Sequence, residues 1–149
     1  MPALPTRRFD ILLIEDNEAD VALTTAGFRD ALVDQVHVAR DGEEAMALLQ
    51  SGEHAFRPDL VILDLGLPKG DGFEVLEAMK ADPRLKSIPV IVMSGSYRSE
   101  DQRRAYRLQP VGYIVKPVEK DKYFAAIRSI KELWLHTIAP VPKENGTAH

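Results

Sequence analysis

Five short apolar runs, each followed within a few residues by a stretch with helical spacing, leave this 149-residue chain few folds to choose from. The most telling is Leu60-Val61-Ile62-Leu63, continuous and partly β-branched, the pattern of a central parallel strand covered on both faces. Phe9 to Ile14, Gln35 to Ala39, Val90 to Met93 and Gly112 to Val115 supply the others. Between the runs, Asn17 with Asp20, Asp41 with Glu44, Asp71 with Glu74 and Ser99 with Gln102 have the spacing of helix caps. The first helix is expected to turn Ala19, Leu23, Ala26 and Ala31 inward, and the third Phe73, Val75, Leu76 and Met79. The fourth carries Arg103, Arg104 and Arg107 as a solvated face. The last, Lys120 to Ile138, repeats apolar residues at three- and four-residue steps through Tyr123, Ile127, Ile130, Trp134 and Ile138.

Parallel neighbours in a sheet need a crossover helix that is almost always right-handed, so this alternation predicts an α/β fold. The expected form is a doubly wound five-stranded parallel sheet in the order 2-1-3-4-5, flavodoxin-like in arrangement. One domain over residues 9–138 is expected, preceded by a loose arm at 1–8 and followed by a disordered tail at 139–149. A net charge of −4 offers no basic field for nucleic acid or for an anionic membrane surface. With no cysteine there is neither a disulfide framework nor a thiolate metal site, which fits a reducing cytoplasm. Asp10, Glu15 and Asp16 interrupt the only candidate for a secretory apolar segment.

In the 2-1-3-4-5 order the carboxyl ends of the strands converge on one crevice, where open α/β sheets place their chemistry. Glu15 and Asp16 arrive there from the first strand, Asp64 from the third, Ser94 from the fourth and Lys116 from the fifth. Separately each has a bland explanation: solvated loop acids, a strand-end cap, a surface lysine. Together they form a site. Three carboxylates in one crevice repel unless a cation neutralises them, and an all-oxygen set favours a hard ion such as Mg2+. A carboxylate can accept a phosphoryl group when nearby donors balance the charge. Lys116 offers a movable cation, Ser94 a hydroxyl, and Gly95 an absence of bulk.

With Glu15-Asp16 after strand one, Asp64 after strand three, Ser94-Gly95 after strand four and Tyr113 with Lys116-Pro117 at strand five, the chain resembles a CheY-like response regulator receiver domain. The resemblance covers about Phe9 to Ile138. It implies that Asp64 takes a phosphoryl group from a phosphohistidine of a sensor histidine kinase in a two-component phosphorelay. It further implies that Asp16, Asp64 and the Gly66 carbonyl bind Mg2+, with Glu15 acting through water. Ser94 and Lys116 would hold phosphoryl oxygens, Tyr113 would change orientation with Ser94 on activation, and the bond to Pro117 would be cis. Where the family most often has Thr, Ser94 lacks the β-branch that restricts the rotamer. Gly66 is smaller than many family residues at its position.

The segment Ile11 to Asp20 and the ending Ser129 to Leu135 are similar to stand-alone receivers paired with phytochrome-type histidine kinases. At about 1.5 Å per residue the last helix outruns a strand of roughly 17 Å. Trp134, Leu135 and Ile138 are therefore expected either to overhang the core as a homodimer contact or to fold back over the end of the sheet. Other classes fit less well. An aspartyl-nucleophile phosphatase would have a second Asp where Gly66 stands, and Glu15-Asp16-Asn17 would repel the phosphate of a flavin. A pseudo-receiver that binds partners without phosphorylation could keep all of these acids.

Overall fold

In the computed structural model, residues 9–29, 33–50, 57–67, 72–95 and 99–134 are described. Their strands are β1 (Phe9–Ile14), β2 (Val33–Ala39), β3 (Leu60–Leu63), β4 (Val90–Ser94) and β5 (Gly112–Val115). The helices are α1 (Glu18–Gly27), α2 (Gly42–Leu49), α3 (Gly72–Ala81), α4 (Ser99–Arg107) and α5 (Lys120–Leu133). All five strands run parallel in the order β2-β1-β3-β4-β5. This is the fold class and strand order read from the sequence. The arm at 1–8, the Asp71 cap, Ala31, Leu135, Ile138 and the tail at 139–149 lie outside the described residues.

Because successive side chains on a strand point to opposite faces, each strand feeds two cores. Leu12, Ile14, Val61, Leu63, Val90 and Val92 pack on one side with Ala45, Leu49, Phe73, Leu76 and Met79 of α2 and α3. Ile11, Leu13, Leu60, Ile62, Ile91 and Met93 pack on the other with Val21, Phe28, Tyr123, Ile127 and Ile130. Every residue of β3 and β4 is buried, as strands covered on both faces require.

One helix face departs from expectation, and at the end of α5 one of the two alternatives holds for Trp134. On α1, Asn17 caps as expected, its Oδ1 accepting the Asp20 N–H at 3.0 Å, but the buried positions are Val21 and Thr24, with Phe28 just beyond, while Ala19 and Ala26 face solvent. A threonine can turn inward because its Oγ1 lies 2.8 Å from the Tyr123 Oη on α5, so both hydroxyls are satisfied. At the far end of α5, Trp134 does not overhang. It is 1% exposed and meets the Phe9 ring edge-on, centroids 4.2 Å apart at 78°. The apolar end of the helix therefore closes the bottom of the sheet, because β1 offers an aromatic at its first position for the indole to cover. As a self-association contact, Trp134 is spent in the core.

Burial and, to smaller effect, surrounding carboxylates push the Tyr123 hydroxyl up to about 12, against which the Thr24 hydrogen bond acts. An acid whose folded pKa is raised stabilises the fold below its unfolded value and loses that contribution as pH rises through the folded one. Between about pH 10 and 12, stability is thus expected to fall by about 2 kcal/mol on account of Tyr123. In Tyr123→Phe that part of the alkaline loss should disappear, which urea unfolding at pH 9 and pH 11 would measure.

Among the described residues no helix is long and apolar enough to cross a membrane.

Candidate functional site

Register brings the functional residues to one edge. Ile14 pairs with Leu63, and the ladder runs one step further, the Asp64 N–H donating to the Ile14 carbonyl at 3.0 Å. Glu15 is held in the same way, its N–H donating to the Ala39 carbonyl at 2.9 Å. On the other side Ser94 pairs with Val115, and the Lys116 N–H donates to the Ser94 carbonyl at 2.8 Å. Glu15, Asp64 and Ser94 thus end apolar strands and are themselves buried, although all three are polar.

Above this edge opens a cavity of about 730 Å³ whose lining includes Asp16, Asp64, Gly66, Ser94, Gly95 and Lys116. Lys116 Nζ is the centre of the charge network: it lies 2.6 Å from Glu15 Oε1, 2.8 Å from Asp20 Oδ2 and 3.0 Å from Asp64 Oδ2. Burial alone would lower the Lys116 pKa. Hydrogen bonds to Asp20 and Glu15 and the charges of Asp64 and Glu15 outweigh it and hold the ammonium above the ordinary lysine value. Glu15 moves the other way from an ordinary carboxylate: burial, reinforced by the neighbouring Asp64 charge, pushes it up to about 7 despite its bond to Lys116.

Oxygens of Glu15, Asp16 and Asp64 lie within 4.8 Å of one another, an all-carboxylate set of the kind that suits a hard divalent cation. Asp16 is the exposed member; Glu15 and Asp64 are buried. Glu15 Oε2 also accepts the Asn17 N–H at 3.3 Å. Gly66 contributes its N–H, which donates to Asp64 Oδ1 at 3.0 Å. The remaining expected residue, Tyr113, is half-buried on β5, its ring centroid 6.3 Å from that of the exposed Tyr106 on α4.

One expectation is corrected. Among the described residues every peptide bond is trans, Lys116–Pro117 included. Trans is the intrinsic preference of an X–Pro bond by about 0.5–1 kcal/mol, and here the β5 ladder still reaches Lys116 while its ammonium still reaches Asp64. One residue was missed. Asp20 reads in the sequence as the third position of a capped helix, yet its carboxylate binds Lys116. The available signal was its place four residues after Asp16, in the helical turn that starts from the same strand end.

Comparison with known proteins agrees with this geometry. The response regulator receiver domain family matches residues 11–128, and the chain belongs to that family. Response regulator Rcp1 of Synechocystis sp. is 39% identical over 132 residues, covering 86% of this chain and 90% of Rcp1. The crystal structure of the phosphorylated cyanobacterial phytochrome response regulator RcpA superposes with a TM-score of 0.85 at 42% identity, covering 92% of this chain and all of that one. The Mn2+-bound form of Rcp1 gives 0.82 at 38% identity over 89% of this chain and 99% of its own.

Proposed function

We propose that this chain is a stand-alone response regulator that accepts a phosphoryl group on Asp64 from a histidine kinase of the phytochrome type. The observation that carries the reading is the Lys116 ammonium 3.0 Å from Asp64 Oδ2, beside the oxygen cluster of Glu15, Asp16 and Asp64. The similarity to Rcp1 over 90% of that protein, and to RcpA, supports both the stand-alone form and the phytochrome pairing. In this reading the working unit is residues 9–138, and kinase and regulator share the cytoplasm.

An Asp64 carboxylate oxygen attacks the phosphorus of the kinase phosphohistidine. The O–P bond forms as the P–N bond breaks, and the electron pair stays on the imidazole nitrogen. Lys116 stands against the charge that gathers on the phosphoryl oxygens, and the Ser94 hydroxyl at the end of β4 donates to one of them. Tyr113 on β5 follows Ser94, so the β4 and β5 edge carries the change to the α4 and α5 surface. Water later cleaves the acyl phosphate, returning carboxylate and inorganic phosphate. The all-oxygen set fits Mg2+, with Asp16, Asp64 and the Gly66 carbonyl as ligands and Glu15 acting through water; when bound, the ion neutralises the charge brought together as two anions meet.

The test is transfer from a phytochrome-type kinase carrying radiolabelled phosphohistidine. The label should move to the parent protein when Mg2+ is present and stay on the kinase when Asp64→Asn is offered instead. Equal labelling of parent and Asp64→Asn would contradict the assignment of the acceptor.

A further inference from the structure

We propose that Asp20 is a positioning residue of the acceptor site: its carboxylate holds the Lys116 ammonium in the resting protein and is the partner exchanged for a phosphoryl oxygen when Asp64 is modified. The inference rests on the acceptor reading above.

An ammonium has three protons to donate. Here three carboxylates face it, Glu15 at 2.6 Å, Asp20 at 2.8 Å and Asp64 at 3.0 Å, each from a different segment of the chain. The donor capacity is therefore committed before any phosphoryl group arrives. For Lys116 to bind a phosphoryl oxygen, one of the three must let go.

Burial decides which. The Glu15 side chain is 3% exposed, so releasing it would leave a buried carboxylate with only the Asn17 N–H, at 3.3 Å, as its partner. Asp64 is the group to which the phosphoryl is attached, so its own position keeps Lys116 close. The Asp20 side chain is 22% exposed and opens onto the cavity, so water can replace the ammonium there at least cost. Asp20 also keeps a second favourable interaction after release. It lies in the first turn of α1, where the exposed N–H groups of a helix favour negative charge.

The exchange has a direction. In the resting state the Asp20–Lys116 contact ties the start of α1 to the end of β5, and Asn17 fixes the Asp20 backbone in place by accepting its N–H. Modification of Asp64 would cut that tie. Asp20 thus acts as a competitor that the phosphoryl group has to displace, setting how readily the phosphorylated arrangement forms.

Beryllofluoride, an anion that mimics the phosphoryl group on a carboxylate, gives the test as an equilibrium. With the full chain and saturating Mg2+, titration followed by NMR should show Asp20→Asn binding about fivefold more tightly than the parent, the scale of one charge-assisted hydrogen bond at a site open to water. Glu18→Gln is the control. It removes a charge from the same first turn, but Glu18 pairs with Arg40 and not with Lys116, so its affinity should stay within about twofold of the parent. A second readout needs neither metal nor beryllofluoride: the Lys116 ammonium protons of the metal-free protein should exchange with water faster in Asp20→Asn than in the parent and in Glu18→Gln. Unchanged or weaker binding by Asp20→Asn, an equal gain in Glu18→Gln, or unaltered exchange of the ammonium protons would overturn the proposal. Failure of the parent itself to bind beryllofluoride would instead strike the acceptor reading on which the proposal rests.

Discussion

Replacing Trp134 with alanine is expected to lower the stability of the fold by about 3 kcal/mol, near the low end for a buried Trp→Ala. The indole is 1% exposed and packs edge-on against Phe9, so its removal leaves a void between the end of α5 and the first residue of β1. The low end applies because the ring brings a cost with it: Trp134 Nε1 is buried and finds no hydrogen-bond partner among the described residues. Trp134→Phe keeps much of the ring and removes the N–H, so it should cost less than about 1.5 kcal/mol. Urea unfolding of the three proteins measures both values. A loss below about 1 kcal/mol for Trp134→Ala would mean that the indole is not the closure of the sheet's lower end.

A single methyl group at position 72 should do comparable damage and reach the functional edge as well. Gly72 begins α3, and a Cβ there would lie 2.5 Å from the Asp64 carbonyl oxygen and 2.5 Å from the Leu65 Cα. Both are backbone atoms and cannot swing aside. Gly72→Ala is expected to cost about 3 kcal/mol and to displace the segment that carries the Asp64 carboxylate. Gly27→Ala provides the contrast. Its Cβ would meet the Ile127 side chain at 2.8 Å, a buried β-branched group that can yield only by a small shift of α5 but is not backbone. Alanine recovers part of its advantage of about 1 kcal/mol over glycine in a helix, Gly27 being the last residue of α1. The two effects offset, so a net change within about 1 kcal/mol is expected. Melting temperatures separate the two variants, and a Gly72→Ala protein as stable as Gly27→Ala would refute the close approach at Asp64.

The strands were legible in the sequence because a strand buried on both faces has one signature, an unbroken apolar run, and Leu60–Leu63 shows it fully. The parallel doubly wound class followed from the alternation of strands and helices, and 2-1-3-4-5 is the common order of such a sheet with five strands. The site followed from that order, since Glu15, Asp64, Ser94 and Lys116 each stand just past or at the end of such a run. Helix faces were harder to read. Alanine suits either side of a helix, so Ala19 and Ala26 carried little directional information, whereas Thr24 turns inward through a hydroxyl partner 99 residues away. The fate of Trp134 depended on the same kind of distant contact, with Phe9 at the start of β1. Asp20 was hidden for a different reason: its local role beside the Asn17 cap was a sufficient explanation until Lys116 was seen to lie 2.8 Å away.

The central claim is that this edge of the sheet makes Asp64 a phosphoryl acceptor. Intact mass after incubation with Mg2+ and acetyl phosphate addresses it most directly, because the small donor removes any dependence on a particular kinase. The parent should gain the mass of one phosphoryl group, only with Mg2+ present, and Asp64→Asn should gain none. A parent that stays unmodified even with rapid quenching, or an adduct that persists in Asp64→Asn, would contradict the account and leave a receiver fold that works by binding partners without phosphorylation.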